Sequence, residues 1–130
     1  MEPDPERPTH PWNIIRSARD AYGGLWYALW RTRSLQLGVV ATVVAVGVGW
    51  ALGLSVLELV LIIAGGSLLL AIETLNTAIE MLCDFVHSGS DPRVGRVKDV
   101  AAGATAWTEI GGVVGLLILY GARVWQLTGH

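Results

Sequence analysis

Charged and uncharged stretches alternate along this chain. Charges are absent from residues 34–57, 59–72 and 110–122, and these stretches are mostly apolar. A helix needs ~20 predominantly apolar residues to cross the hydrocarbon core of a bilayer. The first stretch is long enough alone, whereas the other two can cross only if a few ionisable residues lie inside the span. The pattern predicts an all-α membrane protein with spans over about residues 35–52, 56–86 and 94–125.

Residues 12–33 have the period of an amphipathic helix. One face is apolar and rich in tryptophan, and the other is basic, which is typical of a helix lying on a membrane surface. An ordinary helix packed against the spans is the alternative. The apolar face comprises Ile15, Ala18, Tyr22, Leu25, Trp26 and Leu29, and the polar face Asn13, Arg16, Asp20 and Arg31. Residues 1–11 are predicted to be a disordered tail, which leaves residues 12–130 as a single membrane domain.

Basic residues flank the predicted spans unequally. Five arginines precede the first span, and three basic residues lie in or beside the second connection. The first connection has none, and the C-terminal end has only Arg123. Because basic residues concentrate on the cytoplasmic side of membrane proteins, we expect the N-terminus and the loop 88–93 to be cytoplasmic and the C-terminus to lie outside.

The composition argues against two broad classes of protein. Charged residues make up 15% of the chain, the formal net charge is -2, and the mean hydropathy is +0.50. A chain of this charge with no polybasic stretch is not expected to bind nucleic acid. Cys83 is the single cysteine, so neither an intramolecular disulfide framework nor a cysteine-rich zinc site is possible.

A polar stripe runs along the second predicted span. At 100° per residue, Asn76, Glu80 and Asp84 all project within about 60° of Glu73. Burying a charge in hydrocarbon is costly, so the stripe must face protein, water or an ion. A polar seam between subunits is the simplest alternative, but three carboxylates there would repel one another. A cation removes this repulsion, and carboxylates together with polyphosphate favour Mg²⁺.

A second polar cluster begins the third predicted span. It contains Arg96, Lys98 and Asp99, and we expect it to lie near the level of Glu80 and Asp84. Basic residues at a membrane boundary usually reflect only topology. Beside an acidic stripe, however, they suggest a nucleotide phosphate chain that Mg²⁺ bridges to carboxylates. The chain has no Gly-x-x-x-x-Gly-Lys-[Ser/Thr] sequence, so this nucleotide site would not be a P-loop.

These two motifs together resemble the prokaryotic integral-membrane diacylglycerol kinase and undecaprenol kinase family. They read Glu-x-x-Asn-x-Ala-Ile-Glu-x-x-x-Asp over 73–84, Arg-x-Lys-Asp over 96–99 and Ala-Ala-Gly-Ala over 101–104. The resemblance covers about residues 12–120. It implies a homotrimer of three-span subunits, each with an amphipathic N-terminal helix, in the bacterial inner membrane. The implied reaction transfers the γ-phosphate of ATP to a membrane lipid alcohol.

The resemblance also implies roles for single residues. Glu73 would be the general base for the lipid hydroxyl, Asn76 would support this catalytic site, and Glu80 would bind the Mg²⁺ carried by ATP. Lys98 and Asp99 would contact the nucleotide. Arg96 and Asp84 are added to that site from their positions along the chain rather than from the resemblance. Thr32 is a departure, because the family commonly has a second Mg²⁺-binding glutamate at this position. This substitution motivates the hypothesis of a relative with impaired catalysis.

The same residues are compatible with a second class of function. A small proton-coupled transporter would also use an intramembrane carboxylate such as Glu73, although it would need no nucleotide site beside Lys98. Glu109 lies inside the third predicted span and is either functional or an inter-subunit contact. The sequence does not distinguish diacylglycerol from undecaprenol, because both present a primary hydroxyl.

Overall fold

The computed structural model describes residues 14–87 and 89–129, and this part of the chain contains four α-helices and no β-strand. They are α1 (Ile14–Arg31), α2 (Arg33–Ala51), α3 (Val56–Val86) and α4 (Pro92–Leu127). The last three are long and apolar enough to cross a membrane. The predicted all-α fold with three spans is therefore confirmed. The tail 1–11 and the first two residues of the predicted surface helix lie outside the described residues.

A single extended residue separates α1 from α2. Thr32 has φ -116° and ψ 115°, so the helical hydrogen-bond ladder is interrupted there and the chain changes direction. The side-chain amide of Gln36 donates to the backbone carbonyl of Leu29 across this junction, at 3.1 Å. Leu35, just after the junction, is the most deeply buried large side chain that the structure describes, with 2% of its surface exposed. The α1–α2 junction is therefore held in a defined shape.

The two remaining connections are short turns with capped helices. Gly53 has φ +72°, a conformation that favours glycine because it has no Cβ. Ser55 then begins α3 with a reciprocal capping box: its hydroxyl accepts from the amide of Glu58, whose carboxylate accepts from the Ser55 amide. Asp91 caps α4 by accepting from the amide of Arg93, and its hydrogen bonds with the Arg93 side chain hold the pKa of Asp91 below its usual range.

Helix α3 is the centre of the bundle, because it packs along both α2 and α4 and also touches the end of α1. Small residues allow α2 and α3 to approach closely: a Cβ on Gly66 would lie 2.4 Å from Cγ2 of Thr42. An apolar cluster of Ala45, Leu54 and Ile62 joins the helices near the α2–α3 turn, with side chains of α4 packed against it. Most other large apolar side chains point outward, as lipid contact requires. The chain is a multi-pass membrane protein.

Candidate functional site

Glu73 is a buried carboxylate on α3. Only 6% of its surface is exposed, even within a single copy of the chain. The hydroxyl of Ser34, at the start of α2, donates to Oε2 of Glu73 over 2.7 Å. One turn later, the hydroxyl of Thr77 donates to the backbone carbonyl of Glu73 at 3.0 Å. The carboxylate is thus enclosed between two helices while its other oxygen, Oε1, has no partner among the described residues.

Thr32 lies directly beside this stripe. Its hydroxyl is 3.3 Å from that of Thr77, in a contact between residues 45 positions apart. Thr77 stands four residues after Glu73 and three before Glu80, which are distances of roughly 6 and 4.5 Å along the helix axis. The α1–α2 junction therefore brings Thr32 to the stretch of α3 that lies between the two carboxylates.

Asn76 and Glu80 form a second pair on the stripe. The side-chain amide of Asn76 donates to Oε1 of Glu80 at 2.9 Å, one turn along α3. The oxygen of the same side-chain amide, Oδ1, is a buried acceptor that has no hydrogen-bond partner in the part of the chain that the structure describes. Buried acceptors are seldom left unsatisfied in folded proteins. This atom therefore needs a donor from outside the described residues, such as a bound water or another molecule.

The donor set beside Asn76 fits a hydrated Mg²⁺. Within residues 14–87 and 89–129, no three histidine, cysteine or acidic side chains converge as a ready-made metal site. Mg²⁺ needs no such cage, because it retains waters and often binds through one or two carboxylates plus phosphate oxygens. The exposed carboxylate of Glu80 would supply one such ligand, and a metal-bound water would supply the donor that Asn76 Oδ1 lacks.

Lys98 and Asp84 join α4 to α3 at the far end of the stripe. The Lys98 ammonium donates to Oδ1 of Asp84 at 2.5 Å. Asp84 keeps 70% of its side-chain surface exposed and Lys98 keeps 35%, so the ion pair is open to solvent. The start of α4 therefore lies beside the acidic stripe of α3, as the sequence predicts, and Lys98 and Asp84 are the residues in contact.

The other two members of the basic cluster do not join this ion pair. Asp99 and Arg96 are exposed, and neither has a hydrogen bond or ion pair with another residue that the structure describes. Arg96 precedes Lys98 by two residues, so its side chain leaves α4 on nearly the opposite side. Within one copy of the chain, Arg96 is therefore directed away from the site that the sequence assigned to it.

Glu109 lies level with Glu73. Helices α3 and α4 run antiparallel, and the pair formed by Lys98 and Asp84 fixes their register. Glu109 lies eleven residues after Lys98, and Glu73 lies eleven residues before Asp84. Eleven residues are three helical turns, so the two carboxylates come to nearly the same depth. Glu109 is exposed and has no partner within the part of the chain that the structure describes. Its register is compatible with either role that the sequence left open.

Sequence reasoning overlooked two hydroxyl residues of this site. Thr77 had a usable signal, because it follows Glu73 by four residues and so belongs to the same stripe. Ser34 had no such signal, because the residue that it contacts is 39 positions away in the sequence. Its own surroundings show only that the charged residues end at Arg33.

Comparison with known proteins adds a family to this geometry. Residues 19–120 match the family model described as prokaryotic diacylglycerol kinase. The chain is also 32% identical over 108 residues to the undecaprenol kinase of Bacillus subtilis (strain 168), a match that covers 81% of this chain and 86% of that protein. The family match includes every candidate residue from Thr32 to Glu109.

Proposed function

The chain belongs to the prokaryotic diacylglycerol kinase family and is a lipid kinase, and we propose that it transfers the γ-phosphate of Mg²⁺-bound ATP to the hydroxyl of a membrane lipid alcohol. The observation that carries this proposal is the enclosed Glu73 carboxylate, on the same helix face as Glu80 and Asp84. A proposed base, a candidate metal ligand and an aspartate that is ion-paired with Lys98 of α4 follow one another along α3. Phosphoryl transfer requires mainly such positioning and charge neutralisation.

Glu73 is the proposed general base. Its Oε1 would accept the proton of the lipid hydroxyl while the hydroxyl oxygen attacks the γ-phosphorus and ADP leaves. Glu73 lies about 22 Å along α3 from Glu58, which is near the α2–α3 turn. The hydrocarbon core of a bilayer is ~30 Å thick. Glu73 would therefore lie nearer the membrane face opposite the α2–α3 turn, and the polar ends of lipids lie at that face.

Glu80 and Asn76 are the proposed Mg²⁺ site. Glu80 would be the carboxylate ligand, and Asn76 would hold it through the 2.9 Å hydrogen bond. Bound Mg²⁺ would neutralise negative charge on the phosphates during transfer. Glu80 lies about 10 Å along α3 from Glu73, in the direction of the exposed Lys98–Asp84 pair. This order leaves room for a triphosphate between the proposed base and the helix end.

Lys98 and Asp99 are the proposed nucleotide contacts, with Asp84 orienting Lys98. An ammonium group can bind a phosphate oxygen while it still donates to a carboxylate, because it has three donors. Asp84 also offsets part of the positive charge, so Lys98 would attract the nucleotide without binding its phosphates too tightly for turnover. Arg96 points away from this site within one chain, and we propose that it contributes to a site completed by a neighbouring copy.

We also propose that the protein is a homotrimer with active sites between its subunits. The exposed Glu109 and the unsatisfied Oδ1 of Asn76 are polar groups that a second copy would cover. The proposed setting is a bacterial inner membrane, with the N-terminus in the cytoplasm and the C-terminus outside. Ala28 is the only buried residue of α1, so the aromatic face of α1 is free to rest on a bilayer surface rather than on the spans.

Undecaprenol is the first lipid to test, because the relative that matches at 32% identity is named undecaprenol kinase. Diacylglycerol is the second, because it gives the family its description. The purified protein would be incubated with γ-labelled ATP, Mg²⁺ and each lipid in mixed micelles. Label in a lipid phosphate that requires Mg²⁺ is the expected result. Absence of label from both lipids despite Mg²⁺-ATP binding would show that neither is the substrate, and absence of Mg²⁺-ATP binding would contradict ATP as the phosphate donor.

A further inference from the structure

Among residues 14–87 and 89–129, the carboxylate of the proposed base makes one polar contact, the hydrogen bond with Ser34. It is short, at 2.7 Å, and the accepting side chain is 6% exposed. A serine hydroxyl has a single proton to donate, and that proton is committed to Oε2. Hydrogen bonds to ionised groups in such surroundings are stronger and more directional than those between neutral groups. Ser34 therefore fixes which oxygen of Glu73 is occupied and which is free.

Ser34 itself is held firmly by its neighbours. Leu35 is almost fully buried, and Gln36 ties the start of α2 back to Leu29 at the end of α1. On the other side, Thr32 meets Thr77 of α3. The Ser34 hydroxyl thus belongs to a junction that is packed and hydrogen-bonded rather than to a free loop. Its hydrogen bond fixes the Glu73 carboxylate relative to that junction.

We propose that Ser34 is a positioning residue for catalysis: it holds Oε2 of Glu73 so that Oε1 faces the hydroxyl of the lipid. This inference rests on the proposed function, because it assumes that Glu73 is the base. In the reaction, the lipid hydroxyl proton passes to Oε1, the lipid oxygen forms its bond to the γ-phosphorus, and the bond to the bridging oxygen of ADP breaks. Ser34 keeps its own proton throughout and acts only by orientation.

The test is steady-state kinetics of Ser34→Ala, with Ser34→Thr as the rescue variant. Loss of orientation should lower kcat about 10- to 100-fold, while the KM values for ATP and lipid stay within about twofold, because substrate contacts are unchanged. Threonine retains the hydroxyl and should recover most of kcat. Thr42→Ala is the matched control: it removes a hydroxyl from the same helix, one that bonds only to the carbonyl of Gly38, and should leave kcat unchanged.

The outcomes separate this inference from the proposed function. If Glu73→Gln is inactive but Ser34→Ala keeps the wild-type kcat, Ser34 does not position the base and only this inference is wrong. If Ser34→Thr is no better than Ser34→Ala, the hydroxyl is not what matters, and the inference is again overturned. If Glu73→Gln remains fully active, the proposed base is wrong and the inference falls with it. A fall in kcat for Ser34→Ala that is absent in the Glu73→Asp background would support it, because the two residues would then act as one unit.

Discussion

Polar contacts join the helices at both ends of the bundle, but the groups that accept the hydrogen bonds differ between the two ends. At the turn end, defined by Leu52, Gly53 and Arg123, the Arg123 guanidinium donates to the backbone carbonyls of Leu52 and Gly53 at 2.8 and 2.7 Å. Tyr120 likewise donates to the carbonyl of Ala45. At the site end, defined by Ser34, Glu73, Asn76, Glu80, Asp84 and Lys98, the contacts join one side chain to another.

This difference separates the contacts that hold the turn together from those of the proposed site. The last carbonyls of a helix have no partner within it, and Arg123 satisfies such groups just beyond α2 while an apolar cluster packs nearby. At the site end the acceptors are carboxylates. Among the described residues, some of their oxygens accept no hydrogen bond, and the buried Oδ1 of Asn76 has no partner. The turn end is complete within one chain, whereas the site end retains capacity to bind other groups. Substitutions should therefore affect stability at one end and turnover at the other.

The largest effect is expected for Glu73→Gln. Glutamine keeps the shape of the side chain and can still accept the Ser34 hydrogen bond, but it cannot take up a proton. Loss of a general base typically costs ~10²–10⁴-fold in rate. The rate of lipid phosphorylation should fall by this amount, while ATP binding and assembly stay nearly intact. Loss of ATP binding as severe as in Glu80→Gln would show that the two roles are assigned wrongly.

A smaller loss is expected for Lys98→Met, which keeps the apolar stem and removes the charge. Lys98 is partly solvated, and solvent weakens the attraction between its charge and a phosphate. We therefore expect the KM for ATP to rise by no more than about 10-fold. Asp84→Asn should raise it less, because the ammonium group remains and only its orientation is lost. An ATP titration of the three proteins at saturating lipid measures both effects. Equal KM values in wild type and Lys98→Met would remove Lys98 from the nucleotide site.

A change of only a few-fold is expected for Thr32→Glu. This variant introduces a carboxylate beside the stretch of α3 between Glu73 and Glu80, where the family resemblance implies a second metal-binding glutamate. The Mg²⁺ concentration for half-maximal rate should fall, and the metal-free protein should be slightly less stable because like charges are brought together. Titration of the rate with Mg²⁺ at saturating ATP tests this, with Thr32→Gln as the neutral control. The same midpoint in all three proteins would mean that Thr32 does not approach the metal.

The smallest effect on turnover is expected for Arg123→Gln, which instead tests the turn end. The variant loses charged hydrogen bonds to two carbonyls, so thermal unfolding in detergent should reveal a loss of about 1–2 kcal/mol. The kinase rate per folded molecule should stay unchanged. Arg93→Gln is the control, because it removes an equally charged but 83% exposed side chain. A kinase rate that falls while the unfolding temperature is preserved would contradict the division between the two ends.

The sequence predicted the fold well because its signals are local. Runs without charge mark the three spans, and the 100° helical step places Glu73, Asn76, Glu80 and Asp84 on one stripe. The contact between Asn76 and Glu80 follows directly from this spacing, since it joins residues one turn apart. The family resemblance found in the motifs was confirmed by comparison with known proteins.

Contacts between helices could not be predicted in the same way. Ser34 meets Glu73 only because the α1–α2 junction changes direction at Thr32, and Arg123 meets Leu52 across 71 positions. No local pattern encodes which faces of two helices meet. Arg96 is the opposite case. It is close to Lys98 in the sequence, but two helical steps of 100° place its side chain on nearly the opposite side of α4. Such placements depend on packing and were beyond single-sequence reasoning.

The most direct test of the central claim compares three proteins in one assay. Wild type, Glu73→Gln and Arg123→Gln would be purified and supplied with γ-labelled ATP, Mg²⁺ and undecaprenol, and the initial rate of labelled lipid phosphate would be measured. We expect wild type and Arg123→Gln to label the lipid at similar rates per folded molecule, and Glu73→Gln to be slower by at least about 100-fold. Comparable rates in Glu73→Gln and the wild type would contradict this expectation, because the buried carboxylate would then have no part in phosphoryl transfer.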